Sequence, residues 1–125
     1  MIDLPKALRA PAVEDGGEKA AGPLDLRHLQ RQTMGDATFE RDVLNIFLDE
    51  ARECMTRLKN TAGPERGALA HRLKGAARGV GAFALAQSAA ELEDNPHDAA
   101  ALDAVKRDLN AVVQAIDERT GESTS

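Results

Sequence analysis

A long, regular stripe of apolar residues in the middle of the chain constrains the fold more than any other feature. Its members recur every three or four residues: Phe39, Val43, Ile46, Phe47, Ala51, Cys54, Met55 and Leu58. This spacing places them on one face of an α-helix. Asp36 precedes the stripe as an N-cap and Gly63-Pro64 follows it, so we predict the longest helix of the chain, ending at about Ala62. We predict that this face is core; the alternative is that Leu44 and Leu48 widen it into an exposed patch.

The composition indicates an all-α protein. Hydrophobic residues make up 42% of the chain, but it has no Trp, no Tyr and only three Phe, so its core must be built from Leu, Ala, Val and Ile. No stretch alternates apolar and polar residues with the period of two that a half-buried strand requires. With 125 residues, the chain is long enough for one compact domain and too short for a catalytic domain plus a second module.

Start and stop signals define two helices around the long one. Asp25 is an N-cap for a short helix that runs through Met34, with Leu26 and Leu29 facing inward and Gly35 ending it. After the long helix, Pro64 suits the first turn of the next one, because proline has no N–H to lose there. Gly79 and Gly81 mark the turn that follows.

Two more helices complete the chain. The first has apolar positions Phe83, Leu85, Ala86, Ala89 and Leu92, and Asp94-Asn95-Pro96 stops it. Asp98 caps the second, whose inward positions are Leu102, Val105, Leu109, Val112 and Ile116. Short links between these helices predict an antiparallel, up-down-up-down four-helix bundle over residues 24–119, with the short Asp25 helix as an additional N-terminal element across one end.

The two ends of the chain are predicted to lie outside this bundle. Residues 1–23 contain three prolines and three glycines without a sustained apolar stripe, which predicts a flexible tail. The weaker alternative is a short docked helix that uses Leu4, Ala7 and Leu8. Residues 120–125 are polar and are predicted to be disordered.

Charge and hydropathy exclude several classes of partner. The formal net charge is −5 and the basic residues are scattered, which argues against nucleic acid. No apolar run reaches the ~20 residues needed to cross a bilayer, and no secretory signal is recognisable. The single cysteine, Cys54, cannot form an internal disulfide and is predicted to be a buried, inert thiol. We therefore expect a cytoplasmic protein, monomeric because its apolar stripes can be satisfied within one bundle.

The most informative motif runs from His71 to Gly81, with the sequence HRLKGAARGVG. At ~100° per helical residue with His71 as zero, Lys74, Gly75 and Arg78 all fall within ~60° of it, while the apolar residues gather on the opposite face. The imidazole is thus predicted to face solvent. Two cations and a residue without a side chain beside it suit reversible contact with a phosphoryl group. Gly75 costs about 1 kcal/mol relative to alanine in a helix interior, so steric access for a partner is its best explanation.

With His71-Arg72-Leu73-Lys74-Gly75, Gly81 and the Leu92-Glu93 pair, residues 24–118 resemble the histidine-containing phosphotransfer (HPt) domain family. The resemblance implies a phosphorelay carrier, phosphorylated on His71, that shuttles the group reversibly between aspartates of response-regulator receiver domains. A hybrid histidine kinase is a further candidate partner. Lys74 would match the family's basic neighbour of the phosphoryl group, and Gly75 the small residue that admits the partner. Arg78 lies on the same face, where its contact with phosphate or partner is inferred from position alone.

Glu93 can be placed by geometry. If the chain reverses near Gly81, His71 and Glu93 lie at similar heights, roughly 15 Å and 18 Å from the turn at ~1.5 Å per residue. The carboxylate could then accept a hydrogen bond from Nδ1–H and leave Nε2 as the attacking atom. A simple ion pair with a lysine or arginine is the alternative.

No cofactor is expected on this chain. His28, His71 and His97 lack metal-ligand spacing, and His28 and His97 are expected to be plain surface residues. The magnesium ion that the chemistry needs would arrive with the receiver. There is no glycine-rich phosphate loop, so we expect a phosphocarrier without ATP-binding or autokinase machinery, and not an enzyme in its own right. Two alternatives remain: a binding-only HPt-like adaptor, and the dimerisation half of a histidine kinase, which ranks last because no acidic residue and proline follow His71.

Overall fold

The computed structural model describes residues 22–120, most of which lie in five α-helices. We label them α1 (Leu26–Gln32), α2 (Ala37–Lys59), α3 (Pro64–Val80), α4 (Phe83–Asp94) and α5 (Ala99–Thr120). Between residues 22 and 120 there is no β-strand, so the predicted all-α class is confirmed for this part of the chain. The predicted tails lie almost entirely outside the described residues, as does the alternative helix at Leu4, Ala7 and Leu8.

The aspartates predicted as N-caps begin three of the helices. Asp25, Asp36 and Asp98 each accept hydrogen bonds from backbone N–H groups of the first turn, at 2.9–3.1 Å. These bonds satisfy donors that the helix itself leaves unpaired. Pro64 occupies the first position of α3, as predicted. The starts of the helices therefore follow from local sequence chemistry.

Three helix ends differ from the prediction. Helix α1 stops at Gln32 instead of Met34, because Met34 and Gly35 both take left-handed conformations, with φ of 54° and 73°. Helix α2 stops at Lys59, three residues before Ala62. Gly79 is not part of the turn after α3 but lies within that helix; Gly81 alone makes the turn, with φ of 86°.

The core is made of leucine and alanine with a few other apolar side chains. Helix α2 packs on α3, α3 on α4, α4 on α5 and α5 on α2, while α1 packs on α3. The largest completely buried side chains are Leu29, Leu44, Leu58, Leu73, Leu85, Leu92, Val105, Val112 and Ile116. Cys54 is buried as predicted, where its thiol donates to the Leu69 carbonyl oxygen at 3.4 Å.

The buried face of α2 is rotated from the predicted one. Phe39 and Ile46, predicted to be core, are 46% and 65% exposed, whereas Leu44 and Leu48, predicted as extra positions, are 0% and 8% exposed. The reason is that α2 contacts both α3 and α5, which centres its buried face between them. Leu26 of α1 was also predicted to face inward, from the apolar pattern of its own helix, and it too is exposed.

Candidate functional site

His71 lies in the middle of α3 and points away from the core. Its side chain is 64% exposed, while the next residues toward the core, Leu69, Leu73 and Ala77, are buried. Nδ1 lies 2.9 Å from Oε2 of Glu93, which comes from α4. This bond turns the other ring nitrogen, Nε2, away from Glu93 and leaves it accessible on an exposed side chain.

Glu93 reaches His71 because α3 and α4 form a hairpin through Gly81. Arg78 and Ala77 carbonyl oxygens accept bonds from the Gly81 and Ala82 N–H groups, which closes α3 and reverses the chain. His71 and Glu93 are then at similar heights above the turn, as the sequence spacing predicts.

Lys74 shares the Glu93 carboxylate with His71. Its Nζ lies 2.8 Å from Oε1, and its side chain is only 19% exposed. The hydrogen bond from Lys74, followed by the one from His71, holds the pKa of the Glu93 carboxyl below its usual value. Glu93 is therefore an ionised group with one partner on each oxygen. The helical wheel placed Lys74 near His71, and the structure adds that both contact one carboxylate.

Two glycines make the surface beside His71 flat. Gly75 and Gly79 follow His71 at intervals of four residues and are exposed, and a Cβ on either would meet no atom within 4 Å. Internal packing therefore does not require a glycine at these positions. Sequence analysis assigned Gly75 to this surface but missed Gly79, although its spacing from Gly75 was the available signal.

Arg78 and Arg72 lie on either side of this surface. Arg78 is exposed, seven residues after His71 and hence about 10.5 Å along the helix axis. It makes no salt bridge with any other residue in the range 22–120. Arg72 lies 3.6 Å from Glu50 of α2, and both side chains are more than half exposed. This pair was not foreseen from the sequence.

An apolar edge of α2 continues the surface. Phe39 and Ile46 are exposed on the side of α2 where Glu50 and Cys54 contact α3. Helical periodicity therefore places them on the side of α2 that faces α3. The sequence indicated this exposed apolar edge, because α2 has more apolar positions than one buried face needs.

His28 is buried, which corrects the prediction of a plain surface residue. It is 4% exposed, its ring packs edge-on against Phe83 with centroids 5.1 Å apart, and neither ring nitrogen has a hydrogen-bond partner within the described residues. Burial lowers the pKa of this imidazole, opposed by the negative charge of Asp25 and by the nearby backbone of Gly79 and Arg78, which lies short of good hydrogen-bond geometry. The prediction failed because α1 crosses the end of α3, which periodicity within α1 does not reveal. His97 is exposed, as predicted.

Three other kinds of functional feature bear on residues 22–120: a reactive thiol, a metal site and a membrane span. Burial raises the pKa of the Cys54 thiol, which disfavours the reactive thiolate. No cluster of three or more His, Cys, Asp or Glu side chains suited to a metal ion occurs among residues 22–120. Over the same range, no helix combines the length and apolarity that a membrane span requires.

Comparison with known proteins gives one match. Residues 42–115, more than half of the chain, match the model of the Hpt domain. The matched range contains His71, Lys74, Gly75, Arg78 and Glu93. Comparisons with curated proteins and with solved structures found no match.

Proposed function

This chain belongs to the Hpt domain family, and on that premise we propose that it carries a phosphoryl group on His71 between aspartates of receiver domains in a two-component phosphorelay. The observation that carries this proposal is the exposed imidazole, whose Nδ1 is held by Glu93 at 2.9 Å while Nε2 stays accessible. A neutral imidazole is a competent nucleophile near neutral pH, and its phosphoramidate product is labile enough to pass the group on.

The transfer step uses the Nε2 lone pair of His71. As the Nε2–P bond forms, the bond from phosphorus to the receiver's aspartyl oxygen breaks, and its electron pair leaves with the carboxylate. The ring keeps its Nδ1 proton and becomes positively charged. Glu93, ionised and already bonded to Nδ1, stabilises that charge and fixes the ring orientation.

Lys74 supplies positive charge beside the reacting group. It is three residues from His71 on the same helix, so its flexible side chain can extend from Glu93 toward a phosphoryl group on the ring. Phosphoryl transfer depends mostly on positioning and electrostatic stabilisation. Arg78, two turns away, is placed better to contact the partner than the phosphoryl group.

The receiver would dock over the glycines of α3 and the apolar edge of α2. Gly75 and Gly79 leave open space next to His71, and Phe39 and Ile46 offer exposed apolar area at its border. The exposed Arg78 would complement negative charge around the aspartate of a receiver. Exposed apolar side chains at a polar rim are typical of an interaction surface.

Magnesium would be supplied by the receiver, where it would offset charge on the phosphoryl oxygens. The described residues of this chain would contribute the nucleophile (His71), the hydrogen-bond acceptor that holds it (Glu93) and a cation (Lys74). The chain would act as a phosphocarrier and not as an ATP-dependent kinase. Our proposal places it in the cytoplasm as a monomer.

We also propose the antiparallel four-helix arrangement, with α1 as the additional helix. Three sets of contacts support it. Cys54 and Glu50 of α2 meet Leu69 and Arg72 of α3 in opposite chain order. Arg66, near the start of α3, bonds the Pro96 carbonyl just after α4. Arg119, at the end of α5, donates to both carboxylate oxygens of Glu40, near the start of α2.

The decisive experiment is transfer of labelled phosphate from a phosphorylated receiver domain. We expect acid-labile, base-stable label on the wild-type protein and none on His71→Gln. His97→Gln, which alters another exposed histidine, is the matched control and should take up label normally. Receiver binding without label on the wild type would instead identify a binding-only adaptor. Equal label on His71→Gln would place the phosphoryl group elsewhere.

A further inference from the structure

One carboxylate bonds two side chains of the candidate site, His71 and Lys74. Oε2 of Glu93 bonds Nδ1 of His71 at 2.9 Å, and Oε1 bonds Nζ of Lys74 at 2.8 Å. In this state Lys74 is committed to Glu93, although the proposed function requires it at the phosphoryl group. We infer that Lys74 changes partner during transfer, pairing with Glu93 while His71 is neutral and with the phosphoryl group once the ring is cationic. This inference rests on the proposed function and concerns the regulation of the same site.

Before transfer, the pairing keeps His71 reactive. A carboxylate next to an imidazole favours the imidazolium form, which has no lone pair on Nε2 and cannot attack phosphorus. Lys74 offsets the charge of Glu93, so the carboxylate can hold Nδ1–H without protonating the ring. Arg72, the next residue after His71, is directed to Glu50 of α2, and Arg78 lies two turns along the helix. Two charged groups therefore act on the ring: Glu93, which bonds it directly, and Lys74, which bonds Glu93.

During transfer, the ring of His71 replaces Lys74 as the positive charge that balances the Glu93 carboxylate. Formation of the Nε2–P bond, with cleavage of the aspartyl P–O bond, leaves a cationic ring whose Nδ1–H faces Glu93. Glu93 is then paired with the cationic ring. Lys74 is free to pair with the negatively charged phosphoryl group. The lysine side chain has a flexible four-carbon stem, so the ammonium can make this exchange without movement of α3.

The exchange can be tested with a double-mutant cycle on Lys74→Met and Glu93→Gln. Two properties are measured on each protein: the pH midpoint of the His71 Cε1–H signal by NMR, and the rate of phosphoryl transfer from a phosphorylated receiver. Lys106→Met is the matched control, because Lys106 also pairs with a carboxylate, Asp103 at 3.9 Å, but on α5. Far-UV circular dichroism during heating verifies that each variant is folded.

The inference predicts different coupling for the two properties. Lys74→Met should raise the pH midpoint of the His71 signal in the wild-type background, because it removes a nearby positive charge and leaves the Glu93 carboxylate without its second partner. In the Glu93→Gln background this rise should be smaller, because only the direct repulsion between Lys74 and the ring remains. The transfer rate should fall roughly tenfold in both backgrounds, less than the ~10²–10³ for a buried donor because the site is exposed. Lys106→Met should change neither property.

Two results would overturn the inference. If the rate loss also disappears in the Glu93→Gln background, Lys74 acts only through Glu93 and never reaches the phosphoryl group. If the pH midpoint does not respond to Lys74→Met, Lys74 does not control the charge state of the ring. Failure of the proposed function is distinguishable: the wild-type protein would take no label, while the titration, measured on the free protein, would still decide the role of Lys74 before transfer.

Discussion

Two regions along helix α3 each combine one histidine with one glycine, but the two environments are opposite. In its middle, His71 and Gly75 face solvent, and His71 is bonded to Glu93. At its C-terminal end, His28 of α1 is buried against the turn at Gly81, and neither ring nitrogen is bonded within the described residues. The comparison shows that the residue type alone does not reveal a role; its contacts do. The second pair is packed inside the fold, and the proposed function assigns chemistry and partner access to the first.

The largest expected effect comes from replacing each histidine by alanine. His71→Ala should reduce label transfer at least ~10³-fold, as loss of a nucleophile does, and leave the free energy of unfolding within ~0.5 kcal/mol because the site is exposed. His28→Ala should keep the phosphoacceptor but lower the free energy of unfolding by about 2–4 kcal/mol through the cavity it leaves. Transfer assays and urea denaturation measure the two effects. Loss of stability in both variants, or in neither, would break the comparison.

The next effect distinguishes the glycines of the two regions. Gly81→Ala should lower the free energy of unfolding by about 1–3 kcal/mol, because Gly81 has φ of 86° and its Cβ would lie 2.9 Å from the Asp25 carbonyl oxygen. Urea denaturation of this variant tests the packing role of the turn. An unchanged unfolding midpoint would mean that α1 moves away from the turn at no cost.

The third effect is the dependence of stability on pH. Burial lowers the pKa of His28 in the folded state below 6.5, so the unfolded chain binds more protons as the pH falls through 6.5. The contribution of neutral His28 to the free energy of unfolding is therefore complete above pH 6.5. It is lost below that pH, by at most ~1.4 kcal/mol per pH unit. Denaturation at pH 7.5 and pH 5.5 should show a larger decrease for the wild type than for His28→Leu. Parallel decreases would remove His28 as the cause.

The smallest effect has the opposite sign. Gly75→Ala should raise the free energy of unfolding by about 0.5–1 kcal/mol, since the added Cβ meets no atom within 4 Å and alanine favours a helix. Gly75→Gln should remain folded but weaken receiver binding by steric bulk. Thermal denaturation and receiver titration measure these two changes. Unaltered receiver affinity in Gly75→Gln would show that the flat surface is not where the partner docks.

The same contrast explains which features could be predicted from sequence. Caps at Asp25, Asp36 and Asp98 and the neighbourhood of His71 and Glu93 depend on residues close in the chain or across one hairpin, so spacing and helix geometry sufficed. The burial of His28 and the exposure of Ile46 depend on which neighbours cover α1 and α2, and periodicity within one helix cannot supply that. Gly79 was assigned to a turn because two glycines near a helix end look alike in sequence, although only Gly81 has positive φ.

The exposed surface formed by Gly75, Gly79, Phe39, Ile46 and Arg78 is nearly independent of the core that supports it. The two glycines have open space around them, and the other three side chains are exposed. Substitutions at such positions usually change stability little. Under the proposed function, a duplicated copy of this gene could therefore acquire a new receiver by changes on this surface alone, with His71 and the fold unchanged, so that parallel relays in one cell become insulated from each other.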